Sequence, residues 1–127
     1  RRVLFRSKNV GLSMRQNVYF DYLWVEDFCR MIEVFLEKKP QYHTYNMVSG
    51  MRISLKEICD IVRKISGRDL PVYVCREGTA NEYTASNERF RKECPDFVYT
   101  APEVAIERLY RWYEQHEEQI DLYRLLY

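Results

Sequence analysis

The nine residues Phe20-Asp21-Tyr22-Leu23-Trp24-Val25-Glu26-Asp27-Phe28 constrain this chain more than any others, because the side-chain period switches from sheet to helix within them. Tyr22, Leu23, Trp24 and Val25 are aromatic or branched with no polar interruption, which predicts a strand buried on both faces. Phe28, Met31, Ile32, Phe35 and Leu36 then recur at spacings of three and four, the stripe of a helix ending near Lys38-Lys39-Pro40. Glu26 and Asp27 fall at the helix start, where a carboxylate caps a free N–H and complements the dipole for about 0.5–2 kcal/mol.

A similar alternation continues downstream. His43 to Val48 reads as a strand ending at Ser49-Gly50. Leu55, Ile58, Ile61, Val62 and Ile65 supply one face of a second helix, started by a Ser54/Glu57 capping box and stopped at Gly67. Pro71 to Cys75 predicts a strand with one buried face. A loop from Arg76 to Ala85, a short helix from about Ser86 to Glu93 and a break at Pro95-Asp96 follow. Thr100 and Glu103 form a second capping pattern, and Ala105, Leu109, Trp112 and Tyr113 carry a long helix to about Gln119. The expected fold class is α/β, with short strands alternating with helices and a long C-terminal helix.

At 127 residues the chain is one domain at most, and 46% hydrophobic with 31% charged residues is the balance of a globular protein. No apolar run reaches the length of a membrane span and no signal peptide is visible, so a cytoplasmic setting is expected, with no membrane partner. Cys29, Cys59, Cys75 and Cys94 show no CxxC pairing and read as reduced core thiols, with no metal site expected. Residues 1–7, Arg1-Arg2-Val3-Leu4-Phe5-Arg6-Ser7, resemble a translated sequencing-adapter or cloning scar, leaving 8–127 as the domain. Setting aside its three arginines takes the formal net charge from +1 to −2, and with it any basic-tail case for nucleic acid.

The catalytic motifs are missing from the sequence. It has no Gly-rich phosphate loop, no nucleophile elbow and no H-E-x-x-H, and none of its eleven tyrosines is followed four residues on by lysine. His43 and His116 lie far apart and read as surface or packing residues. The loop 76–87 is richer: Asn81, Glu82, Tyr83, Thr84 and Asn87 offer hydrogen-bonding groups, and loops on a rigid scaffold are where binding groups gather.

Three runs in register carry a family resemblance: Phe20 to Phe28, then Tyr45-Asn46-Met47-Val48-Ser49-Gly50, then Ile53-Ser54-Leu55-Lys56-Glu57-Ile58. From about Asn17 to Tyr113 the chain resembles the C-terminal part of the NAD-dependent epimerase/dehydratase family, extended short-chain dehydrogenases that act on nucleotide sugars. The resemblance implies a C-terminal lobe whose Rossmann domain, holding NAD or NADP and the catalytic set, is missing upstream. It implies a nucleotide-sugar substrate, an enzyme only as the full-length parent, an epimerase, dehydratase or reductase, and a parent that forms homodimers. Catalytic and cofactor-binding residues are accordingly expected to be none in this chain. Substrate binding is expected at Arg76, which matches a family arginine in Arg76-Glu77-Gly78, at Tyr83, and at Phe20, which stands where relatives often carry a phosphate-gripping arginine. The other class of function open to this sequence is a small cytosolic α/β protein-interaction module, its apolar faces serving as a partner surface.

Overall fold

A computed structural model of the chain describes residues 12–121; Arg1–Ser7, expected to be a scar, lie outside the described residues. The fold is mixed α/β. In order it comprises β1 (Leu12–Asn17), β2 (Tyr19–Asp21), α1 (Val25–Glu37), β3 (Arg52–Ser54), α2 (Leu55–Ser66), β4 (Val72–Thr79), α3 (Glu88–Glu93) and α4 (Pro102–Gln115), closed by a 3₁₀ turn at Glu117–Gln119. Among the described residues, no helix is long and apolar enough to cross a membrane.

Two small sheets organise the chain. β1 pairs in parallel with β4, from Leu12 opposite Val72 to Gln16 opposite Arg76, and β2 pairs antiparallel with β3. Between Gln16 and Asn17 the register jumps, so that Asn17 faces Thr79 and Glu77-Gly78 bulge out. Gly78 holds φ at +76°, a left-handed conformation that glycine reaches without a Cβ penalty. The bulge lets the chain keep tracking its neighbour: Ala80 N–H donates to the Asn17 carbonyl at 2.8 Å and Tyr83 N–H to Tyr19 at 3.2 Å.

The strands differ from the expected ones for physical reasons. Tyr22–Val25 is not a buried strand. The ladder ends at Asp21 because β3 is only three residues long, and Val25, at 60% exposure, already opens α1. The segment His43–Val48 is not a strand either, since no strand edge lies beside it to take its backbone bonds. Tyr45 and Met47 instead pack on the core, and the ladder with β2 is made later, at Arg52–Ser54. β4 runs beyond Cys75 to Thr79, converting the start of the expected loop into strand. Its expected buried face is not found: Val72 is half-buried and Tyr73 through Thr79 are exposed, because a two-stranded sheet offers no second layer.

α2 matches its reading closely. The Ser54 hydroxyl accepts from Glu57 N–H at 3.2 Å, the Glu57 carboxylate accepts from Ser54 N–H at 2.7 Å, and Gly67 caps the far end at φ +63°. These bonds to Ser54 hold the Glu57 carboxyl below its usual range. Leu55, Ile58, Ile61, Val62 and Ile65 are all half-buried, and the helix packs against α4 and β1. Ser54→Ala is expected to destabilise the fold by about 1 kcal/mol, read as a lower urea midpoint at unchanged slope; an unchanged midpoint would contradict the cap's role.

The other helix ends depart from expectation. Neither acid caps α1: its N-cap is Trp24, which makes no side-chain capping bond, while Glu26 accepts from the Trp24 indole at 3.1 Å and from Arg108 at 3.0 Å. The Thr100/Glu103 box does not form, because Ala101 is the N-cap, Pro102 opens α4, and Thr100 is drawn to Asp27. α4 stops at Gln115, where the His116 ring stacks on Trp112 with centroids 4.4 Å apart and Nδ1 donates to the Trp112 carbonyl. The face of α4 turned inward is Ala105, Ile106 and Tyr110, leaving Leu109, Trp112 and Tyr113 partly exposed.

The principal core is aromatic. Met31, Phe90 and Cys94 are buried at its centre, joined by Leu23, Val34, Phe35, Tyr45, Met47, Phe97 and Tyr99. Phe90 meets Phe97 edge-on at 5.0 Å and Phe35 at 5.7 Å, geometries that suit the ring quadrupoles. All four cysteines are free, but only Cys94 belongs to the core: Cys59 is half-buried, its thiol pushed up by burial, and Cys29 and Cys75 are exposed.

Candidate functional site

The segment Tyr19–Asp21 has neighbours on both edges, and this creates the site. On one side Phe20 faces Ile53 of β3; on the other it forms a parallel bridge with Tyr83. The Phe20 ring lies 6.5 Å from Tyr83 and meets Tyr22 edge-on at 5.6 Å. Tyr83 is 78% exposed and Tyr22 44%, so the three rings form an aromatic edge open to solvent. Burial raises the Tyr22 hydroxyl above its ordinary range, so it stays a neutral phenol, a hydrogen-bonding group rather than a charge.

Polar groups occupy the other face of the strand pair. Arg52 lies over the Tyr19 ring at 4.0 Å and pairs with Glu82 at 2.8 Å, and Thr84 donates to Glu82 at 3.1 Å. The Asp21 carboxylate is turned away from the rings and receives Ser49 N–H at 2.9 Å, the Ser49 hydroxyl at 2.6 Å and Gly50 N–H at 2.7 Å. It therefore pins the 49–50 turn beneath the edge. Asn87 Nδ2 adds a bond to the Ser49 carbonyl at 2.8 Å, tying the start of α3 to the same turn.

Of the expected binding residues, the structure brings Phe20 and Tyr83 together and sets Arg76 apart. Arg76 is exposed on β4 opposite Gln16, in the parallel sheet before the bulge, rather than on a loop. Arg52, opposite Asp21 in the ladder, is a guanidinium of the same strand pair, on the face across from Phe20; sequence reasoning passed over it because β3 itself was not expected. A separate cleft of about 270 Å³ lies between Thr44–Asn46 and Ser86–Phe90. There Arg89 donates to the Thr44 carbonyl and hydroxyl, both at 3.1 Å, and Asn46 donates to Ser86. None of Phe20, Arg76 or Tyr83 lines it.

The edge offers ring faces for a planar group and phenol hydroxyls, while the Arg52 guanidinium and the Asp21 and Glu82 carboxylates stand on the other face of the strand pair. The structure is a mixed α/β chain with an exposed aromatic edge. No protein-family model matches the chain, and no curated protein matches it.

Proposed function

We propose that this chain is the nucleotide-sugar-binding part of an NAD(P)-dependent epimerase, dehydratase or reductase, a C-terminal lobe of the extended short-chain dehydrogenase kind. The observation that carries the reading is the Phe20–Tyr83 bridge. One of these residues comes from the run that most resembles the family and the other from the loop richest in binding groups, and they meet on one open edge. Aromatic faces hold a nucleobase or sugar ring by stacking, at about 1–3 kcal/mol per base.

In this reading the chain orients substrate and performs no bond-making of its own. NAD(P) belongs to the upstream Rossmann domain, because no glycine-rich strand-turn-helix cradle for its diphosphate is present in this sequence. Calorimetric titration with UDP-hexoses and GDP-hexoses tests the site. Saturable binding is expected, weakened roughly tenfold by Tyr83→Ala or Phe20→Ala. Equal affinity of those variants and the wild type, or no binding of either nucleotide class, would overturn the reading. The upstream reading frame gives a second test: a G-x-x-G-x-x-G turn and a Tyr-x-x-x-Lys are expected there, and a start codon near Lys8 would contradict them.

A further inference from the structure

Helix α1 carries two apolar faces, and only one is covered. Met31 is fully buried, and Val34 and Phe35 join it in the core with Phe90. On the other side Val25, Phe28, Ile32 and Leu36, again at spacings of three and four, are 60%, 40%, 40% and 81% exposed. A surface helix needs one apolar stripe to hold it to its own core. A second contiguous row, rimmed by charge, marks an interaction surface.

The rim gives this face a sign. By helical spacing Glu26, Glu33 and Glu37 share the flank beside the exposed stripe, together with Arg30. Arg30 is taken up by the buried Asp27 carboxylate and the Val98 carbonyl, and Glu26 by Arg108. Glu33 and Glu37 are exposed and have no cationic partner among the described residues. The opposite flank closes onto the core at Met31 and Phe35. The face is thus apolar with a one-sided acidic edge.

An antiparallel second copy of the chain fits it poorly. In a twofold antiparallel pairing of α1 with itself the acidic edges would face one another, placing like charges in register. We propose that the outward face of α1 docks a protein surface of the opposite kind, an apolar row of leucine or isoleucine character edged by lysine or arginine. This docking face goes beyond the nucleotide-sugar reading and stands whether or not the aromatic edge binds a sugar nucleotide.

Two synthetic amphipathic helices of the same apolar pattern serve as probes, one of leucine and lysine, the other of leucine and glutamate. Their binding to the full chain is read by fluorescence anisotropy, after sedimentation has established the oligomeric state. The leucine–lysine helix is expected to bind saturably, at least about tenfold more weakly to Ile32→Lys and to the Glu33→Lys/Glu37→Lys pair. The leucine–glutamate helix is expected not to bind. Leu36→Lys, at the most exposed position of the row, repeats the measurement should Ile32→Lys fail to fold. Equal binding of both helices, undiminished binding to the variants, or no binding of the basic helix would overturn the proposal. So would a concentration-dependent dimer that Leu36→Lys abolishes, since the occupant would then be a second copy.

Discussion

Phe90→Ala is expected to destabilise the chain by about 3–5 kcal/mol, the largest effect of any single truncation in it. Phe90 is 1% exposed and touches the core from the short helix α3, whose six residues have almost no stability of their own. Its ring meets Phe35 of α1 on one side and Phe97 and Tyr99 on the other. Removing it leaves a cavity bordered by large rigid rings that cannot collapse inward. The loss also spreads to Tyr45, whose ring lies tilted against Phe35 with centroids 4.5 Å apart and whose hydroxyl donates to Glu93 of α3. Urea unfolding followed by near-ultraviolet dichroism checks this, with Phe90→Leu recovering more than half of the loss. A Phe90→Ala protein within about 1 kcal/mol of wild type would mean that the aromatic cluster is not the core.

How much of this was legible in the sequence depended on the range of the interactions. α2 could be read almost residue by residue, because Ser54, Glu57 and Gly67 act within one turn of the helix they define. α1 was legible as a helix, but its apolar residues were assigned to one stripe, whereas Met31 and Phe35 face the core and Phe28, Ile32 and Leu36 face outward. Apolar period alone cannot say which of two adjacent rows is covered. β1 escaped notice because Arg15 and Gln16 interrupt any alternation, and its partner lies across the whole of α1 and α2. At the site, Phe20 and Tyr83 were named for unrelated reasons and proved to be neighbours. Arg76 was expected on a loop and lies on a strand, and Arg52 went unnoticed, because the boundary of β4 and the existence of β3 are settled by pairing, not by propensity.

Asp27→Asn is expected to destabilise the fold by about 2–3 kcal/mol at neutral pH, although the substitution preserves size and shape. The carboxylate is 1% exposed and serves three donors, one local and two far along the chain: Arg30, one turn along α1, and the Thr100 N–H and hydroxyl, each at 2.8 Å, just before α4. It is the polar clasp that sets the start of α4 against α1. An asparagine side chain presents one oxygen and one NH₂, so the NH₂ must face a donor, either Thr100 N–H or the Arg30 guanidinium. Burial by itself would push the Asp27 carboxyl up, but the bonds from Arg30 and Thr100 outweigh it and hold the group below its ordinary 3.8. The sign of the pH dependence follows. A carboxyl whose folded pKa is depressed contributes fully above the unfolded value and loses that contribution as pH falls through the folded one. The gap in stability between wild type and Asp27→Asn should therefore be constant from neutral pH down to about 5 and shrink steadily below 3.8. Other carboxylates titrate in the same range in both proteins, so the difference between their urea midpoints at each pH isolates Asp27. A gap that stays level through the acid range would show that Asp27 acts by shape alone, and that the charge it holds between α1 and Thr100 does not fasten the two together.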